Sequence, residues 1–283
     1  MRIRATVAAV TGALALSALV FPAVAQADET PAGGAAALSP LAANTPANDT
    51  VGDTKITNVV VNGGKDIVLG TTVPKTISVS VTATDSSGIQ DAYAAVWHGT
   101  SLDSDSSYDQ FLGPDDSSQI ATCTKVNATT STCTVSFRID PRADLWSTLA
   151  GTWKVSAAAL GKDGDYTNTD AYKTVHVQRA SRQTVNAAPE PVKKGGTITV
   201  TGKLDRANWD DYAYHGYTVQ PVKLQFRKKN SSTYTTVKTL TTNSTGNLKT
   251  TVKAVEDGYW RYNFAGTTTT PAAVAAGDFV DVK

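Results

Sequence analysis

Asp163-Gly164-Asp165, followed by Asn168 and Asp170, sets four oxygen-bearing side chains within eight residues. Hard cations such as calcium are held by several carboxylate, amide and carbonyl oxygens. Asp163, Asp165, Asn168 and Asp170 are therefore the candidate calcium ligands. A second acidic set, Asp103, Asp105, Asp109, Asp115 and Asp116, lies in a Ser-rich stretch over residues 100–118. Neither set follows the EF-hand loop, which needs Gly at its sixth position and Glu at its twelfth. The competing reading is a polar loop whose aspartates make turns.

A third cluster is aromatic. Residues 209–217 read Trp-Asp-Asp-Tyr-Ala-Tyr-His-Gly-Tyr, four aromatics and two carboxylates in nine residues. Trp209, Asp210, Asp211, Tyr212, Tyr214 and Tyr217 are the candidate ligand-binding residues. Exposed aromatic faces stack on sugars while carboxylates accept hydroxyl hydrogens, and Tyr and Trp also suit protein interfaces. The competing reading has Trp209 and one or two tyrosines covering the end of a core.

Catalytic chemistry finds little to work with. The histidines are His98, His176 and His215, and no nucleophile elbow, zinc-binding H-E-x-x-H or phosphate loop accompanies them. The chain is expected not to be an enzyme, a carbohydrate-active hydrolase built from carboxylates being the distant alternative. No cofactor is expected, calcium aside.

The two cysteines, Cys123 and Cys133, flank a polar segment that reads as a hairpin turn. Cys133 is in phase with Val135, Phe137 and Ile139, so it points inward. Cysteines facing each other across a hairpin come within disulfide range, and the spacing is too long for a C-x-x-C redox pair. A structural disulfide is expected.

The elements that must position these residues begin after an export signal. Arg2 and Arg4 precede an apolar run over Val7–Val20, then Pro22 and the small-residue site Ala25-Gln26-Ala27. This is the pattern of a cleavable secretory signal peptide over residues 1–27. No Cys sits near the cleavage site and no Arg-Arg pair precedes the run. A secreted, extracellular protein with no membrane insertion after cleavage is expected. The remaining 256 residues carry 24 basic against 25 acidic side chains. That balance lacks the basic footprint nucleic-acid binding requires.

Residues 28–53 are rich in Ala, Pro and Gly and read as a disordered linker. Short alternating segments follow, such as Ile77, Val79, Val81 and Ala83 set between Ser and Thr. Such alternation is the mark of half-buried strands. The pattern predicts an all-β chain of two tandem immunoglobulin-like antiparallel sandwiches, over residues 54–179 and 182–283. The first carries the polar insertion and the disulfide. The joint, Gln178–Gln183, has neither Gly nor Pro, so the domains should touch. Thr76-Ile77-Ser78-Val79 parallels Thr197-Ile198-Thr199-Val200, and Gly151-Thr152-Trp153 parallels Gly258-Tyr259-Trp260, a weak internal repeat. Trp153 and Trp260 read as core.

Residues 189–195 (Pro-Glu-Pro-Val-Lys-Lys-Gly), 222–227 (Val-Lys-Leu-Gln-Phe-Arg), 257–261 (Asp-Gly-Tyr-Trp-Arg) and 277–280 (Gly-Asp-Phe-Val) carry a resemblance. In them the chain resembles a family of secreted actinobacterial proteins with immunoglobulin-like domains. The family has no established activity, and some members carry a calcium-binding label. The resemblance implies fold and compartment and brings no catalytic residues. The resulting expectation is a non-catalytic binding or structural module whose partner is a cell-wall glycan or an extracellular protein. A calcium-stabilised extracellular protein is the alternative.

Overall fold

The computed structural model describes residues 48–102, 104, 106–114 and 121–283. The expected signal peptide, linker residues 28–47, and Asp103, Asp105, Asp115 and Asp116 lie outside the described residues.

Strands dominate. The first ten are β1 (Thr50–Val51), β2 (Lys55–Val61), β3 (Ile67–Leu69), β4 (Lys75–Thr84), β5 (Ile89–Gly99), β6 (Tyr108–Leu112), β7 (Thr122–Lys125), β8 (Thr130–Ile139), β9 (Gly151–Gly161) and β10 (Tyr166–Arg179). One sheet runs β1-β10-β9-β5-β6, with β3 added in parallel to β10; the facing sheet runs β2-β4-β8-β7. In β4 and β8 the alternation predicted from sequence drives the pairing. Ile77, Val79, Val81 and Ala83 are buried together with Cys133, Val135, Phe137 and Ile139. The outward Ser and Thr hydroxyls meet across the strands, Ser80 with Thr134 at 3.2 Å and Thr82 with Thr132 at 3.0 Å. Such cross-strand pairs hold register on the solvent face.

The second half holds β11 (Ser181–Gln183), β12 (Asn186–Ala188), β13 (Gly196–Ala207), β14 (Tyr214–Gly216), β15 (Pro221–Lys228), β16 (Thr235–Thr241), β17 (Asn247–Ala254), β18 (Gly258–Phe264), β19 (Ala273–Val274) and β20 (Asp278–Val280). The long β13 pairs with β11, β12, β14 and β17, while the other sheet runs β16-β15-β18-β19 with β20 also on β18. Ile198, Val200 and Leu204 pack against Val222, Leu224, Tyr262 and Phe264 between them. Gly202 permits the closest approach, because a Cβ there would collide with the Thr184 carbonyl and the Tyr262 ring. The chain is thus all-β, two tandem antiparallel sandwiches of the immunoglobulin-like class. Both paired tryptophans, Trp153 and Trp260, are buried.

The structure departs from the composition at the start of the fold. Residues 48–53 fall in the segment expected as linker, yet Thr50 and Val51 pair with Thr167 and Tyr166 of β10. The cause is side-chain anchoring. The Asp49 amide donates to Asn168 Oδ1 at 2.6 Å, and the Tyr166 hydroxyl donates to the Asp49 carboxylate at 2.8 Å. A two-residue strand held this way leaves no hydrophobic period to read.

Candidate functional site at the domain joint

β10 ends at Arg179 and β11 begins at Ser181, but the cores do not divide there. Trp209, which follows β13, is 1% exposed and packs in the hydrophobic core of the first sandwich. Its indole N–H donates to the Gly70 carbonyl at 2.8 Å. Ser147, at the start of a 3-10 turn in the first sandwich, donates through its hydroxyl to Asn208 Oδ1 at 2.7 Å and accepts from the Trp209 amide at 3.1 Å. On the β10 side the Arg179 Nε–H donates to the Ala207 carbonyl at 2.6 Å, and Gln178 donates to the Thr267 carbonyl at 2.9 Å. Burial and the neighbouring Arg206 bring the Arg179 guanidinium down to about 10. The segment 209–217 therefore serves both sandwiches: Trp209 plugs the first, while Tyr217 packs against the core of its own, edge-on to Phe264.

This placement assigns each aromatic of the cluster. Trp209 has no free face for a sugar. Each of the three tyrosines has an arginine over its ring: Arg142 over Tyr212 at 5.6 Å, Arg182 over Tyr214 at 3.5 Å and Arg206 over Tyr217 at 3.9 Å. Tyr212, 42% exposed, is the most open of them, and Trp146, 44% exposed, lies beside Ser147 on the same joint. The two carboxylates are also engaged. Asp210 accepts from the Ser147 amide at 3.1 Å, and Asp211 pairs with His215 Nε2 at 2.5 Å. Slight burial raises Asp211, but hydrogen bonds from His215 and the Ala213 amide outweigh it and hold the carboxyl below its ordinary range.

The acidic residues regroup. Asp53, Asp85 and Asp165 converge, with one carboxylate oxygen from each within 4.8 Å of the others. They come from three turns: after β1, after β4 and before β10. Asp85 is 3% exposed and accepts from Thr54 Oγ1 at 2.5 Å and from the Ser87 amide at 2.8 Å. Burial raises the Asp85 carboxyl, but the hydrogen bonds from Ser87 and Thr54 outweigh it and leave it below its ordinary value. Asp165 accepts from the Asp53 amide at 3.0 Å. Gly52, at φ +70°, leaves room for this, since a Cβ there would land on the Asp165 carboxylate.

Of the four expected calcium ligands, only Asp165 joins the group. Asp163 Oδ1 accepts from the Asp165 amide at 3.2 Å, while Asn168 holds Asp49 and the Asp170 carbonyl accepts from the Trp97 indole. Sequence reasoning missed Asp53 and Asp85 because the three turns are far apart along the chain. The regrouped donors are all hard oxygens, which suits calcium better than a metal bound by nitrogen and sulfur.

The cysteines stand opposite each other on β7 and β8 and form the Cys123–Cys133 disulfide. Cys133 faces the core, as its phase predicts. Among the described residues no helix is long and apolar enough to cross a membrane.

The family model of DUF5707, a family of unknown function, matches residues 71–159. That span runs from just before β4 into β9 and includes both cysteines and Asp85; it ends before Asp165 and Trp209. No curated protein matches the chain. Among solved structures, the D00–D0 domain of intimin is 14% identical over 79% of this chain and 99% of that one, with a TM-score of 0.26. The Yersinia pseudotuberculosis adhesin InvE is 16% identical over 79% of this chain and 57% of its own, with a TM-score of 0.25. Dpr2 Ig1–Ig2, solved in complex with DIP-Theta Ig1–Ig3, is 12% identical over 80% and 98%, with a TM-score of 0.28. Likeness at this level says nothing of ligand or partner.

Proposed function

We propose that this chain is a secreted, non-catalytic module, a rigid pair of sandwiches that presents a binding surface at the cell surface or in the extracellular medium. The observation that carries the reading is Trp209, contributed by one sandwich to the core of the other. A spacer or adhesive module must transmit position, and a shared core fixes the angle between domains far better than a flexible joint. The disulfide supports an oxidising compartment. The partner is a cell-wall glycan or an extracellular protein.

Calorimetry of residues 28–283 tests the rigid pair. One cooperative transition is expected, and two separable transitions would overturn it. N-terminal sequencing of the exported protein should begin at Asp28.

A second reading has its own observation, the convergence of Asp53, Asp85 and Asp165. In it calcium binds these turns and stiffens the end of the first sandwich. A bound ion at a hundred times its Kd adds about 2.7 kcal/mol. Millimolar calcium should then raise the melting temperature relative to EDTA, and Asp165→Asn should abolish the rise. An unchanged melting temperature would remove this reading and leave the rigid pair untouched.

A further inference from the structure

A groove of about 920 Å³ opens at the joint, on the opposite side of β10 from Arg179. The loop before β3 and the strands β4 and β10 form one wall, and residues 265–272 of the second sandwich form the other. Ligand sites favour such domain boundaries, and the volume falls in their usual range.

The charges in it are unevenly matched. Asp66 is occupied, since its Oδ1 lies 3.3 Å from His176 Nδ1 and accepts from the His176 amide at 3.4 Å. Lys65 and Lys75 also line the groove, and among the described residues neither ammonium has an ion pair or hydrogen bond. Facing them, Thr267 and Thr268 are exposed, and the Thr268 hydroxyl is likewise without a partner among the described residues. The rim is bare backbone. Gly63 has a φ of 63°, and a Cβ on it would meet nothing within 4 Å. Asn62 Nδ2 fixes this rim by donating to the Asp66 carbonyl at 2.9 Å.

We propose that the groove is a binding site for a small hydroxylated anion, one carrying a carboxylate or a phosphate. The two unpaired ammoniums take the anionic oxygens. The threonine hydroxyls exchange hydrogen bonds with ligand hydroxyls, and the glycine rim lets the ligand approach the backbone. The inference rests on the rigid pair proposed above, because each sandwich supplies one wall.

An NMR shift titration of residues 28–283 tests it with glucuronate, glycerol 3-phosphate and glucose. Either anion or both should shift the amides of residues 62–66 and 267–270, which identifies a carboxylate or a phosphate as the recognised group, and glucose should not. Replacing both lysines (Lys65→Ala with Lys75→Ala) should weaken anion binding by about tenfold or more, since hydrogen bonds to charged groups are the strong ones. Both side chains reach solvent, so the variant should melt like the parent. Silence of both anions, equal binding of glucose, or full affinity in the double variant would overturn the groove while a single calorimetric transition still supported the rigid pair. Two transitions in the parent would overturn both.

Discussion

The indole N–H of Trp209 reaches out of one sandwich to the backbone carbonyl of Gly70 in the other, at 2.8 Å. The rest of its ring fills the first core, so a residue after β13 completes a structure that otherwise ends with β10. Trp209→Ala should cost about 3–5 kcal/mol, the usual loss for a buried tryptophan. It should also split the single calorimetric transition in two, because the remaining joint contacts are hydrogen bonds and the Arg142–Tyr212 ring contact. Trp209→Phe refills part of the volume without the donor. It should melt below the parent and above Trp209→Ala, and stay in one transition.

The Cys123–Cys133 bridge closes a short loop between adjacent strands. In the chain-entropy model a loop of this length contributes about 2.8 kcal/mol. Replacing both cysteines by alanine should lower the stability of the pair by about that amount and keep its single transition. Guanidinium unfolding of the parent and the double variant, followed by tryptophan fluorescence, would measure it.

The strand pattern was legible wherever one face is buried. Ile77, Val79, Val81 and Ala83 alternate in sequence and in burial, and Cys133 could be placed in phase with Phe137. The candidate sites were less legible, because they are made by turns and by a contact between domains. Asp53, Asp85 and Asp165 share no local spacing, and nothing near Trp209 in the sequence points to Gly70. Composition marked residues 209–217 as aromatic but could not say which core would take the indole. The arginines over Tyr212, Tyr214 and Tyr217 come from Arg142, Arg182 and Arg206, each beyond the reach of a periodicity argument.

Asp85 gives the first sandwich an acid limb. Its carboxyl lies below the unfolded value in the fold, because hydrogen bonds from Ser87 and Thr54 outweigh the effect of burial. A depressed carboxyl contributes its full stability above the unfolded pKa and loses it as pH falls through the folded value. Denaturant midpoints in EDTA should therefore drop below about pH 4, starting near the unfolded aspartate value. Asp85→Asn should flatten that drop and be less stable than the parent at neutral pH. A parent and variant with parallel acid limbs would show that Asp85 is not the group responsible.

Tyr262 gives the second sandwich the opposite, alkaline limb. The side chain is fully buried between the sheets, and its hydroxyl donates to the Val200 carbonyl at 3.0 Å. Burial pushes that hydroxyl up to about 12. Because the folded value lies above the unfolded one, near 10, the contribution is complete below pH 10 and is lost as pH rises through 12. Tyr262 should ionise late in a tyrosinate absorbance titration, and its ionisation should coincide with unfolding. Tyr262→Phe keeps the ring but removes the hydrogen bond to the Val200 carbonyl, at a cost of about 1 kcal/mol at neutral pH. The same variant should lose the late absorbance step and unfold with a shallower alkaline slope. Retention of the late step in Tyr262→Phe would assign it to another tyrosine.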